Sequence, residues 1–336
     1  MLFLIYLCVV LCGLCGKRGG INHEGRKGYH EGTKGFLFNF IMDYKSSLIE
    51  LKPCQEFFIG IDSDGCVFDT MEVKQKEFFI PNTIKLFDLF PIAKLVRETW
   101  EFVNLYSIYR GGNRFISLIK VFELLGERRE IRDSGYELPD LTSLKEWVKK
   151  ETKLGNATLR KYFESDYNPD LEKVVRWTEA INKDISEWLH GIPPFPHARN
   201  TIEKISSFAD SIVVSQTPLE ALEREWEEHN LKKYARVIAG QEYGTKTEHI
   251  AYAAKNKYPD NKILMIGDAK GDLDAARNNG VLFYPVIRGK EDKSWERLLN
   301  EGLEKFISGT FGGSYENALL GEFMMVLPDT PPWKRQ

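Results

Sequence analysis

A set of short apolar runs, alternating with longer helical patterns, most narrows what this chain can fold into. Phe57-Phe58-Ile59-Gly60-Ile61 is apolar throughout and leads straight into acidic residues, the signature of a strand buried on both faces of a parallel sheet. Ser211 to Val214, Arg236 to Ala239, Ile263 to Ile266 and Val281 to Ile287 are runs of the same kind. Between the later runs, Pro218 to Asn230, Thr247 to Lys257 and Asp272 to Asn279 carry apolar residues at helical spacing. Strict alternation of strand and helix predicts an α/β fold built on a doubly wound parallel sheet. In such sheets ligands bind at the carboxyl ends of the strands.

One gap breaks the alternation. From about Thr70 to about Phe195 the pattern is helical only, with candidates at Leu95 to Tyr109, Arg114 to Leu125, Leu144 to Lys150 and Leu171 to Leu189. Gly111-Gly112-Asn113, Ser134-Gly135 and Pro193-Pro194 punctuate them. The expected organisation is a core of residues 42–70 and 196–290, a helical domain of residues 71–195 inserted into it, and a C-terminal extension of residues 291–336. That extension offers one helix, Trp295 to Phe306, then a Gly-rich turn and a Pro-rich end, expected to pack on the core or to help dimerise.

Composition removes several alternatives. A formal charge of -3 gives no general attraction to nucleic acid or to an anionic membrane. Of the five cysteines, Cys8, Cys12 and Cys15 lie near the start, leaving Cys54 and Cys66 for the body, with neither disulfide nor zinc spacing. The body is therefore expected to be cytoplasmic. Met1 to Leu14 is apolar but short for a bilayer, and its basic residues, Lys17 and Arg18, follow the run where an export signal would place them before it. Residues 1–41 are read as a leader or extraneous segment without fixed structure, with a start at Met42 or a short membrane anchor as the alternatives.

The chemistry sits where strands end. Asp62-Ser63-Asp64-Gly65 follows the first apolar run, and residues two apart in extended chain face the same way, so two carboxylates share one edge. Their repulsion calls for a cation, and a hard one such as magnesium suits oxygen ligands. The bland alternative is an aspartate-rich turn capping a helix. Asp268 and Asp272 follow the run Ile263 to Ile266; Asp272 also falls at a helix start, where it could simply cap amides. Ser215, Gln216 and Thr217 end another strand just before a helix, a place that offers free N–H groups to phosphate. Lys246 opens the helix after Gly244, where a lone lysine is usually just solvated.

Taken in order, these residues resemble the four motifs of the haloacid dehalogenase superfamily, over residues 57–70 and roughly 196–287. The resemblance implies a Rossmann-like core in which Asp62 is the nucleophile and Asp64 the general acid and base. Ser215, with Gln216 beside it, and Lys246 would bind the phosphate. Asp62, Asp64 (through its carbonyl), Asp268 and Asp272 would form the acidic site for Mg2+. It further implies a phosphatase acting on a small phosphorylated metabolite through an aspartyl-phosphate, similar to phosphoglycolate and sugar phosphatases.

The inserted helices resemble the cap of that superfamily, enlarged to about 125 residues, and no particular substrate carries over. Arg110 and Arg114, flanking the Gly111-Gly112 break, are candidate readers of a carboxylate or second phosphate, against the plainer account of solvated turn residues. Glu72, Lys74 and Lys76 follow the first acid pair closely and could line the entrance, against the preferred account of a charged helix face. The alternatives are a phosphomutase resembling β-phosphoglucomutase, a phosphonatase, which the presence of Asp64 disfavours, and an inactive binding protein on the same fold.

Overall fold

The computed structural model describes residues 44–165 and 167–334; the leader read at residues 1–41 lies outside them. Among the described residues no helix is long and apolar enough to cross a membrane. Five parallel strands form one sheet: β1 (Phe57–Ile61), β2 (Ala209–Val214), β3 (Val237–Ala239), β4 (Ile263–Gly267) and β5 (Leu282–Pro285). Their order is β3-β2-β1-β4-β5, so the chain winds outward from a central β1 in both directions. The doubly wound expectation holds, and the crevice lies where β1 meets its two neighbours.

The unbroken apolarity of β1 has a direct cause. Phe57, Ile59 and Ile61 enter one apolar layer with Leu264 and Ile266, while Phe58 enters the other with Ile212 and Val214. Both faces are covered, so neither alternate residue can be polar. The fifth strand is shorter than its apolar run: Val281 instead closes the preceding helix, its N–H donating to the Ala276 carbonyl, and Pro285 ends the strand at the sheet edge.

Between β1 and β2 the described residues hold helices and no strand. Chief among them are α1 (Ala93–Asn104), α2 (Arg114–Glu127) and α3 (Pro169–Trp188). They bury a core of their own around Trp100, Trp147 and Trp177, with the Trp177 ring 6.2 Å from that of Trp100 and 5.9 Å from that of Phe79. The helix expected over 95–109 stops at Asn104, and a loop runs on to the Asn113 cap of α2, whose side chain accepts from the Phe115 N–H. The stretch after Asp69, read as a charged face, is a helical run from Thr70 to Leu86 with a π-turn at Lys74–Phe79.

Beyond the third strand's neighbours, α4 (Leu219–Glu228), α5 (Lys246–Ala253) and α6 (Lys270–Asn279) follow β2, β3 and β4 as expected. The C-terminal region holds a second helix, α7 (Ser314–Met325), absent from the sequence reading because its apolar residues bunch as Ala318-Leu319-Leu320 and Phe323-Met324-Met325. It packs on β5, with Phe323 fully buried against Phe283. Among the described residues, Cys54 is exposed, Cys66 is buried and both are free.

Candidate active site

Register brings the acids together. Ile61 pairs with Val213 of β2 and with Ile266 of β4, so Asp62, Ser215 and Asp268 leave the same edge within two residues of those pairs. The Asp62 N–H donates to the Ile266 carbonyl, 3.0 Å away, which fixes the end of β1. Gly65 then turns the chain with φ +79°, and a Cβ there would lie 2.7 Å from Oδ2 of Asp268. Gly267 serves the other acid: a Cβ on it would stand 2.6 Å from Oδ2 of Asp272 and overlap the rest of that side chain.

Asp62, Asp268 and Asp272 are all buried, and each offers an oxygen such that the three lie within 4.8 Å of one another. Lys246 bridges two of them, with Nζ 3.0 Å from Asp62 and 2.7 Å from Asp272. Burial opposes the Lys246 charge, but Asp272 and Asp62 outweigh it and raise its pKa. Burial, then the charge of Asp272, pushes the Asp62 carboxyl well above the usual range, with Lys246 pulling the other way. Asp272 accepts from the N–H groups of Asp268 and Ala269 as well as from Lys246, so it both caps α6 and faces the cluster.

The donor set suits a hard divalent cation. All three side chains give oxygen, and among the described residues Oδ1 of Asp268 is buried without a hydrogen-bond partner. These residues could hold such an ion.

Asp64 is placed differently from Asp62. Its carboxylate accepts from the hydroxyls of Thr70 and Thr217 and from Lys74, each at 2.6 Å. Burial pushes its carboxyl up, but the Lys74 charge and these three hydrogen bonds prevail and hold it below its ordinary value. Thr70 and Thr217 were not singled out for this in the sequence, and Lys74, taken for part of a solvated face, instead turns inward. The signal for it in the sequence was its closeness to the first acid pair; in the structure it lies in the π-turn, a feature frequent at functional sites.

Ser215 is buried, and its Oγ accepts from the Thr217 N–H at 3.2 Å. Gln216 donates to the carbonyl of Gly244 at 2.9 Å, tying the β2 and β3 loops together. Two further groups escaped the sequence reading: Glu225 of α4 accepts from the Ser63 hydroxyl at 3.0 Å, and the Trp226 indole donates to that hydroxyl at 2.9 Å.

The two arginines part company. Arg110 is 5% exposed, and its Nε and a terminal nitrogen both reach Oδ2 of Asp268 at 2.6 Å. It is thus a buried group at the acid cluster, and the solvated-turn account of it is set aside. Arg114 stays within the helical insert, donating to Thr178 at 2.9 Å and Asn182 at 2.7 Å and lying over the Phe79 ring. Burial alone lowers its pKa to about 10; these hydrogen-bond partners are neutral.

Sheet order, helical insert and acid cluster agree with the resemblance read from the sequence. Residues 140–286 match the family model described as haloacid dehalogenase-like hydrolase. The first motif lies ahead of that match, so Asp62 and Asp64 rest on their geometry. No curated protein matches the chain. Among solved structures, the chain is similar to a haloacid dehalogenase-like family protein of Streptococcus pneumoniae, at 14% identity and TM-score 0.36, covering 71% of this chain and 90% of that one. It is also similar to a predicted phosphoglycolate phosphatase from Haemophilus somnus 129PT, at 14% identity and TM-score 0.43, covering 69% and 86%. A hydrolase of the same superfamily from Bacillus subtilis, in a structure bound to magnesium, matches at 14% identity and TM-score 0.39, covering 68% and 86%. These superpositions are loose, and the site stands on its own distances.

Proposed function

We propose that this chain is a cytoplasmic, magnesium-dependent phosphatase that hydrolyses a small phosphate monoester through an aspartyl-phosphate on Asp62. The observation that carries the reading is the convergence of Asp62, Asp268 and Asp272 within 4.8 Å, with Lys246 on two of them. Asp62, the Asp64 carbonyl and Asp268, with Asp272 beside them, would hold magnesium, which would supply the positive charge that lets a carboxylate approach a phosphate. Lys246 steadies Asp62 and the transferring group, and Ser215 with the amides at the start of α4 receives phosphate oxygens.

An Asp62 oxygen attacks phosphorus as the ester P–O bond breaks, and the departing alkoxide takes a proton from Asp64. A water then gives its proton to Asp64 and attacks phosphorus; the bond to Asp62 breaks, releasing phosphate. In the arrangement described, the Lys74, Thr70 and Thr217 contacts favour ionised Asp64, the form that accepts the proton. To donate one, the carboxyl must first take up a proton from solvent, as the Lys74 contact gives way to the substrate oxygen. The helical insert acts as a cap, and Arg110, which it sets against Asp268, is its candidate reader of a second anionic group on the substrate.

The test is phosphate release from a panel of small phosphate esters with magnesium, comparing wild type with Asp62→Asn and scoring sugar phosphates for isomerised product. Hydrolysis in the wild type, lost in the variant, is the expected result. Isomerised product without phosphate release would favour a phosphomutase, and turnover undiminished in Asp62→Asn would overturn the mechanism.

A further inference from the structure

The C-terminal region lies beyond the family match at residues 140–286, yet it touches the part of the cap that delivers Arg110. One end is anchored in the core. Glu316 of α7 accepts from the Phe283 N–H of β5 at 3.0 Å, Glu322 pairs with Arg297, and Leu327 is buried in the same apolar layer as Phe58 and Ile212. The other end is anchored in the cap. Trp333 packs edge-on against Phe102 of α1, centroids 5.5 Å apart, with the Arg128 guanidinium 4.5 Å over its ring. Lys334 pairs with Glu127 at the end of α2.

Between the anchors, the Pro328 carbonyl accepts from the Ile108 N–H at 3.2 Å. Ile108 lies two residues before Arg110, in the loop joining α1 to α2, and the Arg110 N–H in turn donates to Ser107 at 3.0 Å. The same loop is gripped from the core side by Arg288, 4.2 Å over the Tyr106 ring. Five residues separate Leu327 from Trp333, six Cα–Cα steps in all. Fully extended they span about 20 Å, so while both anchors hold, the cap can swing only as far as this short length allows.

We propose that Leu327–Lys334 is a strap that holds the loop around Ile108 against the core and thereby positions Arg110 at the acid cluster, with Trp333 as its key positioning residue. The strap's hold on the loop is independent of the chemistry; its consequence for substrate binding rests on the function proposed above.

The test uses the full chain and hydrogen exchange resolved to single amides. In Trp333→Ala the Ile108 amide is expected to exchange about tenfold faster or more, with the amides of β1 and β4 unchanged, and Trp333→Phe is expected to stay within about twofold of wild type. Lys334→Glu, on the exposed surface, loosens the same anchor without touching a core and should give about a two- to threefold rise. With a turned-over ester, Trp333→Ala should raise KM several-fold at nearly constant kcat. Unchanged exchange at Ile108 in Trp333→Ala, or equal acceleration throughout the sheet, would overturn the strap. If that variant fails to fold, unchanged exchange in Lys334→Glu does so instead. Absence of turnover in every form would remove the phosphatase reading and leave exchange to decide the strap.

Discussion

Asp62 and Asp64 stand two residues apart at the end of one strand, yet their surroundings push the carboxyls in opposite directions. Asp62 is raised by burial and by Asp272; Asp64 is held low, against burial, by Lys74 and two hydroxyls. Division of labour between adjacent acids thus comes from neighbours drawn from distant segments. Glu225 extends the pattern. Burial, then the Asp64 charge, raises its carboxyl from the ordinary 4.5 to about 7. Because the folded state holds this proton more tightly than the unfolded chain, its contribution to stability is complete below about pH 4.5 and is lost as pH rises through about 7. Glu225→Gln keeps an oxygen for Ser63 and removes the titration. The variant should therefore gain on wild type between pH 5 and pH 8, by at most about 3 kcal/mol in urea unfolding, and an identical pH dependence of the two proteins would contradict this.

The junctions between strands and helices do most to build the site. Residues two apart in extended chain share a face, which made the first acid pair and the β4 acid legible before any coordinates. Their three-dimensional partners were not legible, because Lys74, Thr70 and Thr217 approach Asp64 from separate elements with no fixed spacing to it. The sequence allows Asp272 either capping or the acid site, and the structure has it doing both: it accepts from two backbone amides while facing Asp62 and Asp268. That double duty requires the missing side chain at Gly267. Gly267→Ala should lower stability by about 1–3 kcal/mol and weaken magnesium binding measured by calorimetry, as the added methyl displaces the Asp272 carboxylate. An unaltered melting temperature together with unaltered magnesium affinity would show that Asp272 is not held in this way.

At the scale of the whole molecule, the sheet and the inserted helices follow from hydrophobic periodicity, since each strand is buried on both faces and each major helix on one stripe. What periodicity left out are the elements whose burial comes from long-range contact. The helical run after Asp69 is held by the insert's core, and α7 is held by β5. The course of Pro328 to Lys334 across to the cap follows no local rule, being set by a single aromatic pair, a cation over a ring and one backbone hydrogen bond. Burial of Arg110 against Asp268 joins the inserted helices to the acid cluster in the same way. The central claim is that a phosphoryl group passes through Asp62. Quenching the enzyme in turnover with magnesium and a phosphate ester, reducing any acyl phosphate with borohydride, and mapping the modified peptide tests it directly. The account predicts conversion of the side chain at position 62 and nowhere else; turnover with no modification there, or modification at another acid, would contradict it.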